Sequence, residues 1–243
     1  MGEPVRQDEP VSACSEFDDW AEGCEEHLNA SIRFSGEEDI YFHLYKLACL
    51  KRWVSGLEST ATILDFGCGV GRFASLAAQA FPQSTVYGYD ISPKCIEVAR
   101  KRWGHLGNVT FSNELSSKGS CDLIIAANVF HHIKPSDRPG IILQLKERIK
   151  PGRSIVIFEH NPFNPLTRRV VRSCPFDREV ELISLSRFIG LARAGGLGVR
   201  FKRYIVFFPK FLSLFRPLEP LLGFLPLGAQ YMLSLERQEH GDC

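Results

Sequence analysis

The chain lacks an excess of charge of either sign: 29 Lys and Arg against 28 Asp and Glu leave a net charge of +1 over 243 residues. Without a basic surplus there is no electrostatic footprint for nucleic acid, and that partner is excluded. It also lacks paired cysteines. The eight cysteines (14, 24, 49, 68, 95, 121, 174 and 243) form no Cys-x-x-Cys pair, which argues against a zinc site and a disulfide framework, so no metal is expected. Several stand in apolar stretches, where a free thiol behaves as a small hydrophobe. The acidic, polar N-terminus lacks the charged-then-apolar layout of a secretory leader, and the chain holds no internal repeat. These absences leave a reduced, cytoplasmic, enzyme-sized globule, whose 44% apolar residues suffice for a full core.

Glycine is present where it matters. Leu64-Asp65-Phe66-Gly67-Cys68-Gly69-Val70-Gly71 follows the apolar run Ala61–Leu64, which reads as a buried strand, and leads into Arg72–Ala80, of helical composition. An acid ends the strand, three glycines at alternate positions make the turn, and a helix starts. Such a turn lets the backbone pass close under a nucleotide-like ligand, because a Cβ there would occupy the ligand's space. Nineteen residues after Gly71, Val86-Tyr87-Gly88-Tyr89 ends in Asp90, a carboxylate placed to accept hydrogen bonds from both hydroxyls of a ribose. A dinucleotide site is the competing reading, since Gly69-x-Gly71-x-x-Ala74 is a permitted dinucleotide pattern. Asp65 weighs against it: a carboxylate beside the turn suits a cationic α-amino group and repels a pyrophosphate. The ligand is an amino acid joined to a nucleoside, with an NAD(P)-dependent dehydrogenase as the alternative.

Along the chain, residues 1–15 are expected to be disordered, 16–56 to form a helical lid and 57–243 the main domain. Strands at 85–90, 109–111, 121–126 and 154–158, separated by helices at 92–102 and 139–149, predict a parallel sheet with right-handed crossovers. After residue 199 the pattern changes to two longer strands, 199–208 and 230–236, around a proline-broken apolar insertion at 209–228. The segment from Glu159 to Asp177, with two Asn-Pro pairs and a Cys-Pro, reads as a rigid loop.

On Asp65-x-Gly67-x-Gly69-x-Gly71 and Asp90 the chain resembles the class I S-adenosylmethionine-dependent methyltransferases, bacterial small-molecule type, from about Phe17 to Glu236. The resemblance implies an α/β, Rossmann-like, seven-stranded and mostly parallel sheet with the last strand antiparallel and helices on both faces. It implies S-adenosyl-L-methionine as cofactor, with Asp65, Gly67, Cys68, Gly69, Gly71 and Asp90 holding it. Ile91, Asn113 and Glu114 would flank the adenine, although Ser112-Asn113-Glu114 departs from the family's usual Gly-Asp. Asn128, in Ala127-Asn128-Val129-Phe130-His131-His132, would lie near the sulfonium.

An acceptor in an open α/β sheet sits beyond the carboxyl ends of the strands, hence after residues 126 and 158. His132 and His131 are candidate bases there; Glu159, His160 and Arg172 are candidate contacts to a small-molecule acceptor. Asn161-Pro162-Phe163 stands after the wrong strand for the motif of nucleic-acid and protein amino-group methyltransferases. Tyr41, Tyr45, Lys46 and Trp20 are candidate lid contacts. The insertion is too broken to span a bilayer. It is left with four roles: covering an apolar or lipid-linked acceptor, packing between subunits of a homo-oligomer, lying on a membrane surface, or packing in the core. A scaffold that binds the cofactor without catalysis is the remaining alternative.

Overall fold

The computed structural model describes residues 29–54, 60–115, 120–174, 177 and 180–238. The expected disorder of 1–15, the helix from Phe17 and the lid residue Trp20 lie outside them. The elements run α1 (Asp39–Trp53), β1 (Thr62–Phe66), α2 (Arg72–Ala80), β2 (Thr85–Tyr89), α3 (Pro93–Trp103), β3 (Val109–Ser112) and β4 (Cys121–Ala127). There follow α4 (Arg138–Arg148), β5 (Ile149–His160), α5 (Pro165–Ser173), α6 (Leu185–Ala194), β6 (Leu197–Ile205), a 3-10 segment (Lys210–Leu218), α7 (Glu219–Leu222) and β7 (Gln230–Arg237).

The strands form one sheet in the order β3-β2-β1-β4-β5-β7-β6, with β7 antiparallel to both neighbours and the other pairings parallel. The expected seven-stranded Rossmann-like sheet is what the chain builds. Its strands show why they are apolar throughout. In β4, Leu123 and Ile125 join the core shared with α1, α2 and α3, whereas Ile124 and Ala126 join the opposite core with α4 and α6. In β5, Val156 and Phe158 point one way, Ile155 and Ile157 the other. Side chains alternate across a strand, so a sheet covered on both faces needs apolar residues at both parities.

Register brings the functional segments to one edge. Phe66 pairs with Ala126, Ala127 with Phe158, and His160 with Gln230. The chain after β1, after β4 and after β5 therefore emerges side by side, at the point where strand order reverses between β1 and β4.

The segment read as a rigid loop contains a helix instead. In α5 the Asn164 side chain accepts from Thr167 N at 3.0 Å with Pro165 in the first turn, so the Asn-Pro pair is a helix cap and start rather than a turn. The sequence reading also passed over α6, which Ser184 caps from Arg187 N. The insertion does not pack in the core: the 3-10 segment has no buried residue, and Phe211 (77%), Leu214 (85%) and Phe224 (76%) are exposed. No helix among the described residues is long and apolar enough to cross a membrane. The described free cysteines, 49, 68, 95, 121 and 174, are all buried.

Candidate active site

The glycine turn is held by the ends of β1 and β2. Gly67 N and Cys68 N donate to Tyr89 O at 2.7 and 2.8 Å. Asp90 Oδ2 accepts from Gly69 N at 2.8 Å and Oδ1 from Ser92 N at 2.9 Å, so the carboxylate fixes the turn as well as facing the cavity. All three glycines have positive φ, at 74°, 52° and 79°, but for different reasons. A Cβ on Gly67 would come 2.5 Å from Val129 Cγ2, and one on Gly71 2.6 Å from Phe111 Cε1. A Cβ on Gly69 would meet nothing within 4 Å. Gly67 and Gly71 are packing glycines; Gly69 borders open space.

That space is one cavity of about 1300 Å³, lined at one end by Gly67, Cys68, Gly69, Asp90, Ile91 and Asn128 and at the other by His131, His132, His160 and Asp177. Asp65, only 2% exposed, lies behind the turn. Burial, with the Asp90 charge, raises its carboxyl to about 7, against the opposing pull of the Ala74 N–H and Lys46. Lys46 is itself buried on the cavity wall, and burial lowers it to about 8 although Asp39, Glu159 and Asp65 favour its charge.

Whether these residues fit the expected cofactor is decided by atoms the protein leaves unmatched. Asp65 Oδ2, Asn128 Oδ1 and Gln230 Oε1 are buried without a hydrogen-bond partner, and Asn128 holds φ at 59°. All three are acceptors, and buried acceptors are nearly always satisfied. A ligand bringing N–H and O–H donors, one of them cationic, completes them. A nucleoside-linked amino acid does so; a pyrophosphate brings no donor to these three acceptors, although Tyr41 Oη, also unmatched on this wall, can itself donate.

At the other end Glu159 organises the histidines. Its Oε1 accepts from Val129 N and Phe130 N at 2.9 and 2.7 Å, and its Oε2 meets His131 Nδ1 at 2.6 Å. An ionised carboxylate only accepts, so that ring nitrogen is the donor. Asp177 Oδ1 stands 3.7 Å from His131 Nε2 and 3.3 Å from His132 Nε2. Burial opposes charge on His131, but Glu159 and Asp177 outweigh it and lift the imidazole to about 9. Burial and then the His131 charge lower His132 to about 3 and His160 to about 4. Burial would raise both acids, yet the His131 charge, with the hydrogen bonds that Glu159 accepts, brings Glu159 and Asp177 to about 2.

Other expected residues fall elsewhere. Asn113 and Glu114 follow β3 without lining the cavity, and Ile91 does line it. Arg172 is exposed with Arg168 and Arg169 on the outer side of α5, while Leu166, Thr167 and Val170 line the cavity. Helical spacing sorts them, which a loop reading could not see. Tyr45 turns away to hydrogen-bond Glu219 Oε2.

The family model for the methyltransferase domain matches residues 41–196. The chain belongs to that methyltransferase family. Among curated proteins this methyltransferase is 30% identical over 132 residues to a trans-aconitate 2-methyltransferase of Deinococcus radiodurans, covering 53% of this chain and 49% of that one. It is 31% identical over 114 residues to a malonyl-[acyl-carrier protein] O-methyltransferase of Halalkalibacterium halodurans, covering 43% and 41%. The chain thus spans about half the length of the curated relatives it matches. Its fold is shared with a SAM-dependent methyltransferase of Thermotoga maritima, with a TM-score of 0.65, 16% identity and coverage of 93% of this chain and 100% of that one. The resemblance read from the glycine motif is borne out, and the dehydrogenase alternative gives way to it.

Proposed function

We propose that this methyltransferase moves a methyl group from S-adenosylmethionine to a nucleophile on a small-molecule acceptor that carries an apolar or lipid tail. The observation that carries this reading is the single cavity with unmatched acceptors and Gly69 at one end and the histidine–carboxylate cluster at the other. The cofactor, when bound, supplies an electrophilic methyl on a sulfonium. Asp65 would hold its α-ammonium, Asp90 its ribose hydroxyls, Ile91 its base and Lys46 its carboxylate. The cavity aligns the acceptor atom and excludes water, which accounts for much of the rate of a displacement. His132 directs Nε2–H at Asp177 and is held neutral by burial and the His131 charge; it takes the acceptor's proton on its other ring nitrogen, and only as methyl transfer makes that proton strongly acidic. His131, clamped between Glu159 and Asp177, positions rather than accepts.

The acceptor class rests on the insertion. Polar anchors hold it in place: Glu219 Oε1 accepts from Phe207 N and Phe208 N at 3.1 and 3.0 Å, Arg216 Nη2 meets Glu37 at 2.6 Å, and Asn161 Nδ2 donates to Pro226 O and Gly228 O. So fixed, it turns Phe211, Leu214, Leu221, Phe224 and Leu227 to solvent. Asn164 Nδ2 joins Leu227 O to α5 at 2.7 Å, whose outer side carries Arg168, Arg169 and Arg172. An ordered apolar surface beside a basic helix matches an anionic membrane surface, and Phe207, Phe208 and Leu166 continue it into the cavity.

The test uses radiolabelled donor and vesicles of anionic phospholipid doped with a bacterial lipid extract. Label is expected in the organic-extractable fraction, with Leu214→Asp/Phe224→Asp lowering vesicle binding and transfer at least tenfold while leaving donor affinity unchanged. His132→Gln is expected to lower kcat by about 10²-fold or more at constant donor affinity. Label confined to water-soluble products, or a dimer that buries the patch and ignores vesicles, contradicts the acceptor reading.

A further inference from the structure

The cluster at the acceptor end has a geometry that acid–base work alone does not require. A ring nitrogen of His131, a ring nitrogen of His160 and a carboxylate oxygen of Asp177 all lie within 4.8 Å of one another. The three come from different places: after β4, at the end of β5, and beyond α5. Because Glu159 occupies His131 Nδ1, the nitrogen that His131 turns toward the others is Nε2. Its 3.7 Å distance from Asp177 Oδ1 is too long for a hydrogen bond. It is close to the spacing of roughly 3.4 Å between two ligands that share one ion at bonds of about 2.1 Å.

The surroundings add an independent observation. A histidine that ligates a metal through one nitrogen nearly always gives its other N–H to a carboxylate or carbonyl, which fixes the ring and raises its basicity. Glu159 does this at 2.6 Å, and its own second oxygen is pinned by the N–H groups of Val129 and Phe130. His131 and Asp177 are buried, whereas His160 is partly open. All three line the cavity, so one side of the group faces the acceptor. Two imidazoles and one carboxylate with open positions form a donor set for a borderline divalent ion such as zinc, not for calcium or magnesium, which favour oxygen.

We infer that His131, His160 and Asp177 bind one divalent transition-metal ion at the acceptor end of the cavity, with Glu159 as the outer carboxylate of His131. The ion leaves coordination positions toward the cavity for an oxygen of the acceptor, next to His132. The sequence-based expectation of no metal rested on cysteine spacing, which does not bear on a donor set of two histidines and an aspartate. Its purpose rests on reading that end as the acceptor's, but its existence does not.

The test is ion binding, with no turnover in the readout. Chelator-treated full-length protein is titrated with Zn²⁺ by calorimetry and with Co²⁺ followed by its visible ligand-field absorption. One equivalent is expected, and His160→Ala and Asp177→Asn should each weaken it at least tenfold, with Glu159→Gln weakening it by 10-fold or more. Arg172→Ala, outside the cluster, should bind as the wild type does. Circular dichroism of each variant separates loss of the site from loss of the fold, and His160→Ala, at a partly open position, is the variant expected to fold unchanged. No stoichiometric binding by the wild type, or equal binding by His160→Ala and Asp177→Asn, overturns the site. Donor affinity measured on the same chelated protein tells failure of the ion site from failure of the methyl-transfer reading.

Discussion

Asp65→Asn is expected to make the free protein more stable at pH 8 while removing its affinity for S-adenosylmethionine. The carboxyl is enclosed, faces the Asp90 charge, and is offset only by Lys46 and the Ala74 N–H, which leaves it near 7 rather than 3.8. The folded state therefore holds this proton more tightly than the unfolded chain. The sign follows: relative to Asn, the native carboxyl costs nothing below about pH 4, and its cost grows as pH rises to about 7, then levels off. A displacement of this size corresponds to roughly 4 kcal/mol as an upper figure, or about 8–16 °C in Tm. Thermal melts of both proteins at pH 4, 6 and 8 check it; a gap that does not widen with pH contradicts it. Donor binding runs the other way. An ammonium needs the ionised carboxylate, so wild-type affinity should rise about tenfold per pH unit from 5 to 7 and then flatten. The residue is thus retained at a cost to stability, as binding groups often are.

The glycines give a second large contrast. Gly71→Ala puts a Cβ 2.6 Å from the Phe111 ring and 2.9 Å from Ala99 Cβ at a φ of +79°. Overpacking and the left-handed backbone together should cost about 2–5 kcal/mol. Gly69→Ala meets no protein atom within 4 Å, so it bears only the backbone term of about 1–2 kcal/mol. Its methyl group, however, stands in the space assigned to the cofactor. Denaturant melts should show Gly71→Ala strongly destabilised and Gly69→Ala lowered by no more than the backbone term. Calorimetry should show Gly69→Ala binding the donor at least a hundredfold more weakly. Normal donor affinity in Gly69→Ala would move the cofactor off the turn.

What the sequence made legible was local. Asp65, the glycines and Asp90 lie within 26 residues of one another, and each is tied to a turn or a strand end whose chemistry is readable from neighbours. Burial of both parities in β4 and β5 explains why continuous apolar runs were recognisable as strands covered on both faces. The acceptor end was legible only in pieces. His131, Glu159 and His160 stood after the expected strands, but Asp177 is 46 residues from His131 and is brought there by the chain beyond α5. No spacing rule connects the two. The same helix misled the reading of Arg172: Asn164-Pro165 looked like a turn, and without the helical period its outward-facing side could not be told from its inward one. Lys46 was visible as a lid residue, yet its buried place among Asp39, Glu159 and Asp65 depends on how α1 lies across the sheet.

The most direct measurement is calorimetric titration of the purified protein with S-adenosylmethionine, S-adenosylhomocysteine and NAD at pH 8, alongside Asp90→Ala. Micromolar binding of the first two, none of NAD, and loss of both in a still-folded Asp90→Ala are the predicted results. Binding of NAD alone, or undiminished S-adenosylmethionine affinity in Asp90→Ala, would contradict the assignment of the glycine turn and its two acids to this cofactor.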